Sequence, residues 1–382
     1  MTATTRIAHG MGLQPVQADW PALTQEDVEQ VLGHYPALGS VGPVQWHSPR
    51  PFSAAARVAT AHGTVFVKRH HRSVRQPAWL LEEHRFLQHL AQRGAPVVSA
   101  LADHTGASVL ALGEWTYEVL PLAEGQDLYR DALSWTPFLE LPHAHAAGVA
   151  LARLHRAAEG YAAPDRQTPV LVSNLRLLGS DTPVQAIEQA LARQSALGQY
   201  LADKDWRHAL RELYLPHHRA LQPLLARQPA LWTHNDWHAS NLLWSGIGAT
   251  AEVQSILDFG LSDRTFALFD LTTALERNCI PWLELDNGGL ASADLDAVDA
   301  LLAGYHSQRP LTQADLLTLK ALLPLVHVDF ALNEIDYFQG IVGTQADADI
   351  AYHNFFIGHG RWFAGSEGIR LLGHLDRLAR TR

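Results

Sequence analysis

The chain has 382 residues, 47% of them apolar, which is enough to bury more than one core. No apolar run approaches the ~18 residues needed to cross a bilayer. The start, MTATTRIAHGMGLQ, lacks the apolar segment of a secretory signal, and the single cysteine, Cys279, excludes an internal disulfide, so the expected setting is cytoplasmic. A net charge of −10 argues against nucleic acid as a partner. The charge is unevenly placed: residues 57–93 hold seven basic side chains against two acidic ones, and residues 251–350 hold 16 acidic against 4 basic. The first stretch suits phosphate and the second a small cationic molecule. The 22 histidines include His70-His71, His143, His145 and His217-His218, but they are scattered, lack partner cysteines and form no H-E-x-x-H helix, so no structural zinc site is expected.

In chain order, Thr24-Gln25-Glu26-Asp27 reads as a capped helix start, running to Leu32 and stopped at Gly33. Strands are expected at 44–46, 54–60 and 64–68, the last two joined by the turn Ala61-His62-Gly63. The loop before them, His47 to Ser53, contains no glycine. A helix over 77–93 follows from the spacing of Leu80, Leu81, Phe86, Leu87 and Leu90, and two further strands are expected at 108–112 and 115–120. Beyond residue 126 the pattern is mainly helical: 143–158, a loop-rich stretch over 160–183, then 184–202, 206–215 and 216–227. After a break come helices near 294–305, 313–326, 328–340 and 346–363.

The break holds the chemistry. Residues 232–260 read WTHNDWHASNLLWSGIGATAEVQSILDFG, with Asp236, Asn241 and Asp258 at separations that phosphoryl transfer requires. An Asp followed five positions later by an Asn can, in a tight loop, aim a carboxylate at an attacking hydroxyl and an amide oxygen at a metal ion. Asp258 arrives on a later strand, and two hard oxygen ligands suit Mg²⁺, which completes its shell from water and substrate phosphates. Gly260 is expected to let the chain turn sharply there.

D-x-x-x-x-N followed by D-F-G resembles the catalytic-loop and metal-loop pair of protein kinases. His234-Asn235-Asp236-Trp237-His238-Ala239-Ser240-Asn241 further resembles the H-G-D-x-H-x-x-N loop of the aminoglycoside phosphotransferase and choline kinase family, the small-molecule branch of that fold. Asn235 departs from the family's glycine, and Asn tolerates the left-handed backbone such a turn needs. The resemblance implies an α+β, protein-kinase-like two-lobe fold with an antiparallel-sheet N-lobe and a mainly helical C-lobe. The expected divisions are a nucleotide-binding lobe over residues 1–119, a hinge over 120–126 and a helical lobe over 127–382.

By that resemblance Lys68 positions the phosphates of ATP, held by a helix glutamate for which Glu83 is the choice and Glu82 the alternative. Aligning Gly125 and Leu128 with the family's E-G-x-x-L makes the Pro121 carbonyl the adenine acceptor and the Ala123 N–H the donor; proline supplies only an acceptor. The glycine-free loop departs from the kinase pattern, with Ser48 or Ser53 as substitute phosphate contacts. Asp236 is the catalytic residue, Asn241 and Asp258 the Mg²⁺ ligands, and Asp270 a brace for the catalytic loop. His155 is read as a satisfied core histidine. The acceptor is expected to be a small hydroxyl compound, cationic by the acidity of the second lobe, with some of Glu276, Glu284, Asp286, Asp329, Glu334 and Asp336 lining its pocket. Aminoglycosides, amino alcohols and hydroxy amino acids all fit. The lack of an activation segment and A-P-E motif favours a small acceptor over a protein. Two alternatives stand beside this reading: a stress-response Ser/Thr protein kinase, suggested by Leu81-Glu82-Glu83-His84-Arg85-Phe86, and a non-catalytic nucleotide-binding module, suggested by the glycine-free loop and Asn235. The sequence leaves the oligomeric state open.

Overall fold

The computed structural model describes residues 7–9, 15–285 and 288–381, and the chain forms two compact units. The first comprises residues 1–124 together with 166–169, and the second 125–165 together with 170–382.

The first unit begins with a short antiparallel pair, β1 (Ile7–His9) and β2 (Pro15–Gln17), and helix α1 (Gln25–Leu32). Thr24 and Asp27 form a reciprocal capping box at the start of α1, which satisfies two otherwise orphaned backbone donors. Then come β3 (Val41–His47), β4 (Ala54–Thr60), β5 (Gly63–His71), α2 (Pro77–Gln92), β6 (Leu110–Leu112) and β7 (Trp115–Pro121). The five later strands make one antiparallel sheet in the order β3-β4-β5-β7-β6. Alternation sorts its two faces. Val65 and Val67 of β5 join Ala56, Val58 and Val119 in an apolar core with Val28 and Val31 of α1. Lys68 and His70 belong to the opposite set, and Lys68 stands across from Glu118 of β7 in the register. β5 runs to His71, past the expected end at Lys68, because β7 continues to pair with it as far as Trp115.

The second unit is mainly helical. It contains α3 (Leu141–Ala158), α4 (Pro183–Arg193), α5 (Ser195–Leu201), α6 (Trp206–Ala209) and α7 (Leu215–Leu225), with a π-helical turn over Leu210–Tyr214 before α7. Four short strands follow, β8 (Ala230–Thr233), β9 (Leu242–Trp244), β10 (Val253–Ile256) and β11 (Asp263–Phe266), paired β8 with β11 and β9 with β10. Both pairs are antiparallel, and together they frame the stretch that carries Asp236, Asn241 and Asp258. The rest is α8 (Ala267–Cys279), α9 (Trp282–Leu285), α10 (Leu295–Gln308), α11 (Gln313–Leu322), α12 (Val328–Tyr337), α13 (Gln345–Ile350), α14 (Gly360–Ala364) and α15 (Ser366–Arg380). The helix expected over 184–202 is broken at Gln194 into α4 and α5, and the one expected over 346–363 widens into a π-helical run at Ala351–His359. No helix among the described residues is long and apolar enough to cross a membrane.

α3 and α10 cross closely because each presents a glycine. A Cβ on Gly148 would enter the van der Waals shell of the Leu301 carbonyl oxygen, and one on Gly304 that of the His145 carbonyl oxygen. This crossing sets Tyr305 of α10 beside His155 of α3, which in turn reaches Asp270 of α8, the residue that binds the loop after β8.

Candidate active site

The loop after β8 is held by backbone geometry that its sequence makes affordable. Asn235 has φ 62°, the left-handed region that Asn tolerates. Its amide donates to the Ser173 carbonyl at 2.8 Å and its oxygen accepts from the Thr233 hydroxyl at 2.7 Å. Asp270, in the first turn of α8 and fully buried, accepts from the backbone N–H of His234 at 2.8 Å and of Asn235 at 2.9 Å. His155 Nε2 donates to the same carboxylate at 3.1 Å, and its Nδ1 lies 2.9 Å from the Tyr305 hydroxyl. Burial lowers the pKa of His155 despite the carboxylate, so it stays a neutral, fully partnered core residue. Asn278, two turns further along α8, donates to the Trp237 carbonyl at 2.8 Å and accepts from Ala239 N–H at 2.9 Å.

His234 ties this loop to the strand end that follows β10. Its Nδ1 accepts from Asp236 N–H at 3.1 Å, so Nε2 carries the proton it gives to the Leu257 carbonyl at 2.8 Å. Leu257 N–H in turn donates to the Asn241 carbonyl at 2.8 Å. Asp258 follows in the left-handed region at φ 55°, with its Oδ1 accepting from Gly260 N–H at 3.3 Å. The sharp backbone angle thus falls on Asp258 itself, and Gly260 is not among the positive-φ residues.

Asp236 and Asn241 meet directly. The Asn241 amide nitrogen donates to the Asp236 carbonyl at 3.0 Å and to its Oδ2 at 3.1 Å, which leaves the Asn241 side-chain oxygen with no hydrogen bond among the described residues. That oxygen and the Asp258 carboxylate are hard donors of the kind a Mg²⁺ ion takes. Asp236 Oδ2 also faces His238 Nε2 at 3.4 Å, whereas Oδ1 faces Arg277 Nη2 at 3.9 Å and makes no hydrogen bond among the described residues. Burial pushes the Asp236 carboxyl up, but His238, Arg277 and His234 outweigh it and hold the group well below the usual carboxylate range. Asp236 is therefore an anion at neutral pH with one oxygen open.

Of the acids expected to line an acceptor pocket, the structure brings two to this spot. Glu276 precedes Arg277 on α8, with its Oε2 3.5 Å from Arg277 Nε and its Oε1 3.5 Å from His359 Nδ1. Glu334 of α12 is 2% exposed, lies within electrostatic reach of Arg277, Asp236 and Glu276, and has no hydrogen bond or ion pair among the described residues. Burial pushes Glu276 up to about 7 and Glu334 up to about 8. The guanidinium of Arg277 lies over the rings of Trp135 and Phe330, at 5.3 and 5.4 Å. The others serve elsewhere: Asp329 accepts from Leu177 and Leu178 N–H, Asp336 accepts from Leu197 N–H and Gln194, and Glu284 is exposed. Asp286 lies outside the described residues. Glu276, His327 and His359 bring ligand atoms within 4.8 Å of one another, a grouping that none of the histidine pairs noted in the sequence contributes to. His359 stacks on Trp282 at 3.6 Å, and His327 Nε2 meets the Tyr214 hydroxyl at 3.3 Å.

Arg277 and Asn278 are the residues sequence reasoning passed over. The signal was present: they lie seven and eight positions after Asp270, two helical turns on and on the same face.

In the first unit, Glu83 of α2 is buried, and its Oε2 accepts from Arg166 Nη2 at 3.0 Å. Glu82 accepts from Gln167 N–H at 3.2 Å. The structure thus gives Glu83 a guanidinium partner from the excursion 166–169, which the sequence did not suggest. Glu118, across from Lys68, is 2% exposed and bonded to His70 Nε2 at 3.2 Å and His84 Nε2 at 2.9 Å. Pro121 closes β7 opposite Val65, with Ala123 half-buried just beyond it. In the glycine-free loop the Ser48 hydroxyl accepts from Arg50 N–H at 3.2 Å.

Residues 52–311 match the model of the phosphotransferase enzyme family, so two thirds of the chain places it: this protein belongs to that family and is a kinase acting on a hydroxyl acceptor. It is 26% identical over 258 residues to a homoserine kinase of Janthinobacterium sp. (strain Marseille), covering 65% of this chain and 67% of the relative. Its fold resembles the microcompartment-associated aminopropanol kinase, with a TM-score of 0.56, 17% identity and coverage of 93% of this chain and 100% of that one. It also resembles an amicoumacin kinase solved with AMP-PNP and Ca²⁺, with a TM-score of 0.56, 15% identity and coverage of 88% and 96%. The fold is protein-kinase-like, an antiparallel five-stranded sheet unit followed by a mainly helical one.

Proposed function

We propose that the protein transfers the γ-phosphoryl group of ATP to the hydroxyl of a small amine-bearing molecule, with the cytosol as its setting. The observation that carries this reading is the pairing of Asp236 and Asn241. One amide locks Asp236 Oδ2, leaving Oδ1 open for an acceptor hydroxyl and the amide's own oxygen open for a cation. Mg²⁺, when bound by Asn241 and Asp258, would neutralise charge on the phosphate oxygens.

The chain's own part is positioning. Asp236 Oδ1 accepts the hydrogen bond of the acceptor hydroxyl and aims its oxygen at the γ-phosphorus. As the new O–P bond forms, the bond to the β–γ bridging oxygen breaks, ADP leaves with that electron pair, and the hydroxyl proton passes late to Asp236. A weakly basic carboxylate suffices because the transition state is loose and little charge builds on the nucleophile. Lys68 places the phosphates, Glu83 steadies that unit through Arg166, and Pro121 and Ala123 offer the backbone carbonyl and N–H that adenine pairs with. The amine preference rests on Glu276 and Glu334, and it agrees with the homoserine and aminopropanol kinases among the proteins this chain resembles.

Asp236→Asn tests the assignment. It keeps the shape and the bond from Asn241 but loses the charge and the proton acceptor. It should bind ATP as the wild type does while kcat falls by about 10²–10⁴-fold. Wild-type turnover by this variant would refute the role.

A further inference from the structure

Beside the open oxygen of Asp236 stands a guanidinium that makes ion pairs but no hydrogen bond among the described residues, and Glu334, one turn past Phe330 on α12, lies on the helix face that meets it. Arg277 is 8% exposed, and its five N–H donors make no hydrogen bond among the described residues; Glu276 and Asp236 lie at 3.5 and 3.9 Å, near enough to hold its charge but outside hydrogen-bond geometry. Glu334 is 2% exposed and likewise has neither hydrogen bond nor ion pair among the described residues. Buried polar groups left without hydrogen bonds are costly, and a ligand that supplies those bonds removes the cost. The aromatic faces of Trp135 and Phe330 fix the guanidinium laterally, and Glu276 holds its Nε side, so its terminal nitrogens are turned toward the Asp236 side. A planar fork presented in this way matches a carboxylate bidentately.

We propose that Arg277 and Glu334 form a two-charge clamp for a zwitterionic acceptor, a small amino acid with a side-chain hydroxyl. Arg277 takes the carboxylate, Glu334 takes the ammonium, and the hydroxyl is delivered to Asp236 Oδ1. The clamp rests on the phosphotransfer reading above and narrows its acceptor: an amino alcohol satisfies Glu334 alone, and a hydroxy acid satisfies Arg277 alone.

The test compares three acceptors of one chain length: L-homoserine, 3-aminopropan-1-ol, which lacks the carboxylate, and 4-hydroxybutanoate, which lacks the ammonium. With wild type, kcat/KM for L-homoserine should exceed that for either of the others by on the order of 10²-fold or more, because each analogue leaves Arg277 or Glu334 without its ligand partner. In Arg277→Gln the ratio of L-homoserine to 3-aminopropan-1-ol should collapse toward 1, whatever happens to the common rate. In Glu334→Gln the ratio of L-homoserine to 4-hydroxybutanoate should do the same. A purely structural role, or a role for Arg277 on the transferred phosphate, lowers all three acceptors alike and leaves the ratios standing; that result overturns the clamp. Equal use of 3-aminopropan-1-ol and L-homoserine by wild type, or turnover confined to other acceptors, overturns it too, while phosphotransfer survives. ATP turnover with no hydroxyl acceptor at all would overturn the underlying reading as well.

Discussion

Asp236, partly buried, and Glu334, buried, are carboxyls within electrostatic reach of each other, yet their environments push them in opposite directions. Asp236 has His238, Arg277 and His234 around it and stays ionised, whereas burial of Glu334 prevails over Arg277, with Asp236 and Glu276 adding repulsion, and takes it up to about 8. The groups facing Glu334 are Arg277, Asp236 and Glu276, and the neighbouring His327 and His359 are both driven toward the neutral form by burial. Below about pH 8 Glu334 is mostly protonated and carries no charge for an ammonium ion. KM for an amine-bearing acceptor should therefore fall as pH rises from about 6 to about 8 and level off above; Glu276, pushed up to about 7, adds a contribution of the same sign. Glu334→Gln should remove the greater part of this dependence. Acceptor KM measured across that range decides it, and a flat wild-type profile would show that the Glu334 charge takes no part in binding. At this scale the sequence was readable where spacing is short. Asp236, Asn241 and Asp258 stand within 23 positions, and the tolerance of Asn235 for left-handed backbone follows from its chemistry. The pairing of Glu83 with Arg166 was not readable, because 83 residues separate them and no local period links them.

Among the elements, the crossing of α3 and α10 reaches the catalytic loop through Tyr305, His155 and Asp270. Gly148→Ala would drive a methyl into the Leu301 carbonyl, and the helices must separate to admit it. It should cost about 3 kcal/mol or more, at the upper end of overpacking penalties. Urea unfolding measures this, and a change under about 0.5 kcal/mol would mean that the crossing is not tight. Elements with a clear period were legible: β4 runs over the residues its alternation marks, and α1 starts at its capping box. β8 and β11 were missed because each is only four residues long, with adjacent positions buried together, as at Trp232-Thr233 and Thr265-Phe266, which leaves too little alternation to read. α15 was missed although Leu371, Leu375 and Ala379 carry its spacing. The loop-rich stretch over 160–183 was read correctly as irregular, but nothing in its proline content told that 166–169 would pack with the first unit.

For the molecule as a whole, a family match over residues 52–311 and a kinase-like fold agree with the motif that the sequence displays. The acidic excess after residue 250 proved informative only in part. Several of those acids cap helices or brace loops, as Asp294, Asp315 and Asp329 do, and two of them, Glu276 and Glu334, lie within electrostatic reach of Asp236 and Arg277. The central claim is phosphoryl transfer from ATP to a small amine-bearing hydroxyl compound, and the most direct measurement is phosphorus NMR of the products formed by the wild-type protein with ATP, Mg²⁺ and L-homoserine or 3-aminopropan-1-ol. A phosphomonoester of the acceptor appearing in step with ADP is the predicted result. Release of inorganic phosphate alone, or ATP left intact with every amine-bearing hydroxyl compound tried, would contradict the account.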